Sequence, residues 1–340
     1  VVLDHVVSLF YTLFLPDNRE ACIARHASCA ARHGELGMRK IYIAGCGGML
    51  GEAFYNVFKG DFTLKCTDKD VNEEWLSFLD FRDFDKYRED VVSFSPDYLF
   101  HLGALTDLEY CELHEDDAYM TNALSVEHAV IIASELDVPI LYIGTGGIFD
   151  GHKEAYDDWD VPSPLGAYAR AKCAGERYVM ERARRYFICR AGWMMGGGPA
   201  KDKKFVNKIM KQLKEGRKEL FIVNDKLGTP TYTYDFAHNV KLLLETEFWG
   251  LYNVACSGMT SRLEVAKEML SILHLGDEVK ITEVSSDYYK DEYFAERPRS
   301  ERLLNRKLDL RGLNIMRDWK TGLREYLEKS FRDYIEWGKK

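Results

Sequence analysis

Residues 168–172 read YARAK, which sets a phenol and an ammonium four positions apart. On a helix, positions i and i+4 share a face one turn apart. A free tyrosine holds its proton with a pKa of about 10, poorly matched to proton transfer near neutral pH, and a nearby cation lowers that value. Tyr168 and Lys172 are therefore a candidate acid and its electrostatic partner. As an isolated pair they read equally as a solvated helix face. A third group, the hydroxyl of Thr145, closes the apolar run PILYIGT at 139–145. At the C-terminal tip of a strand in an open α/β sheet, a side chain faces the ligand crevice. A hydroxyl placed there polarises a carbonyl oxygen. Lys172 can also hold the ribose next to a nicotinamide.

Elements that would position these groups lie upstream. The run RKIYIA at 39–44 ends in glycines and gives way to a helical pattern from Met49 to Phe58. Within IAGCGGMLGEAF, Gly45, Gly48 and Gly51 have GxxGxxG spacing between strand and helix. The first glycine makes a tight turn, the second admits a pyrophosphate against the backbone, and the third lets the helix pack close to the sheet. The amides of the first helical residues, Met49 and Leu50, then point at the phosphates. Asp68 follows FTLKCT (62–67), where a carboxylate holds both ribose hydroxyls. That favours NAD, although the neighbouring Lys69 could meet the 2′-phosphate of NADP. Asp80 reads either as a contact to the adenine edge or as a helix cap. Further apolar runs at 98–103, 139–145 and 186–193 alternate with helical stretches, one of them spanning roughly 112–136. This predicts an α/β Rossmann fold, a doubly wound parallel sheet with a smaller C-terminal substrate-binding lobe. The expected division is 38–198 for the dinucleotide-binding domain and 199–340 for a lobe interleaved with the end of the sheet. A final helix from WKTGLREYLEKSFRDYIEW packs on the body.

Composition narrows the function. The 340 residues carry a net charge of −9 with 46% hydrophobic residues, which gives ample core and no basic face for nucleic acid. The 8 cysteines are scattered without CxxC spacing, which argues against a metal site or a disulfide framework and for reduced thiols in a cytoplasmic protein. The apolar start is broken by Asp4 and His5 and is too short to span a membrane. Residues 1–37 are read as a poorly ordered extension before a domain that begins near Met38, with an amphipathic anchor as the alternative.

The blocks HLGALTDLEYCE (101–112), TN (121–122), GTGGIFDG (144–151), SPLGAYARAKCAGE (163–176), CRAGWMMGGG (189–198), LGTPTYTYDFA (227–237) and RPRSERLLNRKL (297–308) resemble, in order, those of the dTDP-4-dehydrorhamnose reductases. These are extended short-chain dehydrogenase/reductases. The resemblance implies an oxidoreductase of deoxysugar biosynthesis that passes hydride from NADH or NADPH to the C4 ketone of a nucleotide-linked 4-keto-6-deoxy sugar. Tyr168 would donate the proton, Lys172 stabilise the tyrosinate and hold the ribose, and Thr145 bind the reacting oxygen. Asn122 would hold a water-linked proton path, or merely cap or kink its helix. Trp193 would lie near sugar and base, or in the core at a strand end, and Thr106 near the substrate. From the basic cluster Lys201, Lys203 and Lys204, Lys203 is a candidate for the diphosphate together with Arg297 and Arg299. A homodimer is possible.

Departures from the family pattern matter. Gly144-Thr145-Gly146-Gly147 stands where the family reads Ser-Thr-Asp-Tyr, so the Asp and Tyr that help bind the sugar are missing. Gly166 replaces an Asn before the tyrosine. A sugar-nucleotide dehydratase would need an Asp-Glu pair after the threonine, and both positions are glycine. An epimerase is an alternative, although epimerases typically lack the FDG at 149–151. The other alternative is a cofactor-binding regulatory subunit, because the β subunit of methionine adenosyltransferase resembles the same family.

Overall fold

In the computed structural model, residues 38–332 are described; the extension and the last residues of the expected C-terminal helix lie outside them. The sheet is seven-stranded. Its strands are β1 (Lys40–Ala44), β2 (Thr63–Asp68), β3 (Leu76–Phe78), β4 (Tyr98–His101), β5 (Ile140–Thr145), β6 (Tyr186–Ala191) and, much later in the chain, Gly250–Asn253. Every pairing is parallel, and the order reverses between β1 and β4, with β2 and β3 on one side and β5 and β6 on the other. That reversal opens a crevice at the C-terminal strand tips.

The central strands β1, β4 and β5 are largely apolar and buried because helices cover both faces. Helix α1 (Met49–Phe58) buries Leu50, Ala53, Phe54 and Phe58, a helical spacing that presents one stripe to the sheet. Phe54 and Phe58 stack at 5.4 Å between ring centroids, and the edge of Phe100 from β4 meets both. The opposite face is covered by α2 (Phe84–Phe94), whose Tyr87 and Val91 join Tyr42 of β1 in the second core layer.

The expected helix over 112–136 is broken. Short helices α3 (Leu108–Leu113) and α4 (Glu115–Tyr119) meet at His114, whose φ of −134° is not helical. A π-helical turn at Met120–Leu124 follows, then α5 (Ser125–Glu135). The extra residue of a π turn interrupts the i→i−4 ladder and redirects a side chain, as such bulges often do at functional sites. Here the redirected side chain is Asn122. Helix α6 (Ala167–Arg182) crosses this turn, and Gly175 allows the approach: a Cβ there would lie 2.6 Å from the Asn122 carbonyl oxygen.

Beyond β6 the chain builds three small strand pairs. β7 (Trp193–Met195) pairs with β10 (Pro230–Tyr232), β8 (Glu219–Val223) with β13 (Lys280–Val284), and β9 (Leu227–Gly228) with β12 (Thr260–Ser261); β11 is the Gly250–Asn253 strand of the main sheet. The basic segment 201–215 becomes helical only in part, as α7 (Gly198–Lys201) and α8 (Phe205–Lys214), because the Asp202 carboxylate takes the Lys204 amide at 2.6 Å. Helix α9 (Thr233–Thr246) brings Phe236 to 6.3 Å from Phe54, so the C-terminal part shares the core of the main sheet. Helices α10 (Arg262–Ile272), α11 (Arg306–Arg311) and α12 (Trp319–Ser330) complete the chain. Helix α12 buries Trp319, Leu323, Tyr326 and Leu327 against the body. Among the described residues no helix is long and apolar enough to cross a membrane, and all six cysteines are free thiols.

Candidate active site

The glycine turn leaves β1 at Gly45, whose φ is +76°. A Cβ there would sit 2.1 Å from the Gly103 Cα, so the turns after β1 and β4 touch at the reversal of strand order. At Gly51 a Cβ would lie 1.7 Å from the Cys46 carbonyl oxygen, which is how α1 reaches its own turn. Gly48 contrasts with both. It caps α1 without any side-chain hydrogen bond, and a Cβ there would meet nothing within 4 Å. The amides of Met49 and Leu50 thus have no side-chain cap and lie at the positive end of a helix beside an open Gly48, which fits a pyrophosphate.

Asp68 ends β2 beside this turn. Its carboxylate accepts the Gly47 amide at 2.9 Å and the Asp70 amide at 2.9 Å, so it braces the loop as well as lining it. Lys69 is exposed. The helix-cap reading of Asp80 gives way to Asp83, which caps α2 by accepting the Lys86 amide. Asp80 instead grips the Arg82 guanidinium at 2.6 Å, and Arg82 also reaches Asp117. The Arg82 hydrogen bonds hold the Asp80 carboxyl below the usual range.

At the tip of β5, the Thr145 hydroxyl accepts the Gly147 amide at 3.1 Å and faces the Tyr168 phenol closely enough to favour its ionised form. Tyr168 and Lys172 both project from α6, and the Glu112 carboxylate caps its first turn by accepting the Ala167 amide at 2.8 Å. Glu112 thereby satisfies a helix end that Gly166 leaves bare. The expectation that Lys172 lowers the Tyr168 pKa is corrected. Burial pushes the phenol upward, with Glu301 adding to the rise and the Thr145 hydroxyl opposing it. The Lys172 ammonium turns toward β5, donating to the Ile143 carbonyl at 2.8 Å and lying 4.1 Å from the centroid of the Tyr142 ring. Burial pulls its own pKa down to about 7, against the pull of Glu176. The phenol thus enters as an acid, not as a tyrosinate.

Asn122 is fully buried, and its amide clamps Leu105: the side-chain oxygen accepts the Leu105 amide at 2.8 Å and the nitrogen donates to its carbonyl at 2.9 Å. One lone pair of the oxygen and one N–H of the nitrogen are spent on the loop after β4, so Asn122 positions that loop.

Across the crevice the cleft is made of side chains. The Trp193 indole lies between Gly228, where a Cβ would be 2.2 Å from the ring, and the Arg262 guanidinium, 3.6 Å from the ring centroid. Arg262 also covers Phe205, and it makes no ion pair among the described residues. Burial pulls its pKa down to about 10, while the charge of Glu301 works the other way. The Trp193 Nε1 is buried without a partner. Lys204 donates to the Thr106 carbonyl at 2.9 Å and to its hydroxyl at 3.1 Å. Lys203 and Arg299 are exposed, and Arg297 is bound to Glu109 at 2.6 Å. The inward-facing cations are therefore Lys204 and Arg262. Sequence reasoning chose Lys203 from its cluster and passed over Arg262, which reads as the first residue of an ordinary amphipathic helix.

The family model of the RmlD substrate binding domain matches residues 38–331. The chain belongs to that family. Its members are extended short-chain oxidoreductases, and the chain has their fold. It is 28% identical over 295 residues to the spore coat polysaccharide biosynthesis protein SpsK of Bacillus subtilis, covering 86% of this chain and 98% of SpsK. It is 28% identical to the dTDP-4-dehydrorhamnose reductase of Escherichia coli over 265 residues, 74% of this chain and 86% of that one. The solved dTDP-4-dehydrorhamnose reductase of Bacillus anthracis, in complex with NADP, superposes with a TM-score of 0.79 at 27% identity, covering 86% of this chain and all of that one.

Within the RmlD family frame, the glycines at 146 and 147 acquire a structural meaning. A Cβ at Gly146 would lie 2.9 Å from the Glu301 carbonyl oxygen, so the segment around Glu301 fills the space a side chain at 146 would need. At Gly147 a Cβ would be in ordinary contact distance of Thr145, Tyr168 and Glu301. The chain at residue 301 thus occupies the side-chain space at 146, while the side-chain space at 147 stays open between Thr145, Tyr168 and Glu301.

Proposed function

We propose that this chain reduces the 4-keto group of a nucleotide-linked 4-keto-6-deoxy sugar, using NADH in preference to NADPH. The convergence of Thr145, Tyr168 and Lys172 at the tip of β5, on the crevice that also holds the uncapped start of α1, carries the reading. When bound, the reduced nicotinamide supplies hydride to the carbonyl carbon. Tyr168 gives its proton to the carbonyl oxygen, and burial keeps the phenol protonated until that moment. Thr145 holds the same oxygen by a hydrogen bond. Lys172 holds the ribose and steadies the phenolate left behind. Gly45, Gly48 and Gly51 carry the pyrophosphate turn. Asp68 takes the ribose hydroxyls, and its negative charge disfavours a 2′-phosphate. On the other side Arg262 and Lys204 hold the diphosphate of the substrate. A half-buried guanidinium without a carboxylate partner among the described residues is a ready site for an anion. Trp193 lies beneath that guanidinium and borders the nucleotide end.

The test is a panel of nucleotide 4-keto-6-deoxy sugars assayed with NADH and NADPH, with Tyr168→Phe beside the wild type. Cofactor oxidation on at least one sugar, faster per micromolar NADH, is expected. Tyr168→Phe should bind NADH normally and lose about 10³-fold in kcat. A chain that binds the dinucleotide, oxidises it on none of the sugars and co-purifies with another enzyme in fixed ratio would be a regulatory subunit instead.

A further inference from the structure

Glu301 reaches the catalytic corner on a segment pinned from both sides. Its amide donates to the Leu227 carbonyl at 2.9 Å, the Leu227 amide donates to the Arg299 carbonyl at 2.8 Å, and the buried Arg302 donates to the Thr260 carbonyl at 3.1 Å. The Ser300 hydroxyl fixes the segment further on the Glu154 carbonyl at 2.6 Å. The backbone is held, yet the half-buried Glu301 carboxylate makes no hydrogen bond or ion pair among the described residues. Its charge is felt by Arg262, Lys226 and Tyr168 without a contact to any of them.

One point in the site relates it to the chemistry. The Cβ position of Gly147 lies 3.5 Å from Thr145 Oγ1, 3.6 Å from Glu301 Oε2 and 4.0 Å from Tyr168 Cε1. Three functional side chains flank that point, and it is clear because residue 147 has no side chain. A half-buried carboxylate left without a donor among the described residues is free to accept one from a ligand.

We propose that Glu301 reads the sugar: its carboxylate accepts a hydrogen bond from the C3 hydroxyl, on the ring carbon next to the carbonyl that Thr145 and Tyr168 hold. The enzyme then selects nucleotide 4-keto-6-deoxy sugars with a free C3 hydroxyl over their 3-deoxy counterparts. This rests on the reductase reading, which supplies the orientation of the carbonyl. Of the two ring neighbours of C4, only C3 carries a donor, because C5 bears the methyl group.

The experiment compares wild type, Glu301→Gln and Glu301→Ala on the paired 3-hydroxy and 3-deoxy substrates by kcat/KM. The binding of each pair is also measured by calorimetry in the presence of oxidised cofactor. Wild type should prefer the hydroxylated sugar by about 10- to 100-fold, the range for a hydrogen bond to a charged group. Glu301→Gln, which keeps a neutral acceptor, should retain part of that ratio, and Glu301→Ala should bring it near one by losing the hydroxylated sugar selectively. Equal losses on both substrates would overturn the proposal and leave Glu301 a structural neighbour of Arg262. An unchanged ratio in Glu301→Ala would overturn it as well. If wild type oxidised cofactor on neither sugar, the reductase reading would fall, while the calorimetric ratio would still decide what Glu301 recognises.

Discussion

Between Gly45 and Gly51 a single loop makes its ligand surface from backbone amides. Across the crevice, the chamber around Trp193 draws Thr106, Lys204, Arg262 and Glu301 from four separate segments and makes its surface from side chains. The first region depends on where a Cβ is absent, which is a local property of the chain. The second depends on how distant segments register against one another, and on which of several neighbouring cations turns inward. The two regions should therefore answer differently to substitution.

The largest effect should come at Gly51, where a side chain has no room against the Cys46 carbonyl. Gly51→Val should cost about 3 kcal/mol or more, read by denaturant unfolding, and abolish cofactor binding. Gly48→Ala should leave unfolding unchanged, since no protein atom lies within 4 Å of its Cβ position, and weaken NADH about tenfold in a fluorescence titration. Equal behaviour of the two variants would break the idea that one glycine serves packing and the other the ligand.

In the side-chain chamber, Arg262→Met should lower kcat/KM for the sugar nucleotide about 100-fold at unchanged NADH affinity, because a methionine keeps the stem on Trp193 and loses the cation. A parallel loss of NADH binding would show that the chamber and the turn are not separable.

Lys172 joins the two regions, and its pKa gives a pH signature. The folded value of about 7 lies below the ordinary lysine value, with burial as the main cause. Between pH 7 and the ordinary value the unfolded chain binds the extra proton, so this group's contribution to stability rises with pH across that window. Its use in catalysis runs the other way, since the charged form holds the ribose. The kcat/KM for NADH should fall as pH rises through about 7, toward tenfold per unit, while thermal stability holds or improves. A rate profile flat to pH 9 would remove Lys172 from the binding step.

The smallest contrast separates neighbours. Lys204→Ala should cost about tenfold in KM for the sugar nucleotide, and the exposed Lys203→Ala less than about twofold.

These contrasts follow what the sequence made legible. The strand at 39–44, the helix at 49–58 and the glycine spacing were readable because the signals lie side by side and each glycine has a steric reason. Tyr168, Lys172 and Thr145 were readable because helix and strand periodicity fixes which way each points. The long helix over 112–136 was misread: nothing in its apolar spacing reveals a π turn at Met120–Leu124 or the Asn122 amide that takes up Leu105 from it. Short strands such as Leu76–Phe78 carry too few residues for a pattern. Arg262 and Glu301 were invisible for a further reason. Each belongs to a segment with an ordinary local explanation, and only the fold brings Arg262 to Trp193 and Glu301 to the corner of Thr145 and Tyr168.

The carboxylate of Asp68 has a practical consequence for anyone wishing to retarget this protein to the phosphorylated dinucleotide. The obvious exchange, a neutral residue at 68, would also release the amides of Gly47 and Asp70 that the acid ties down. Redesign would do better to keep that acid and add a guanidinium at the outward-facing Lys69, leaving the loop's internal bracing intact.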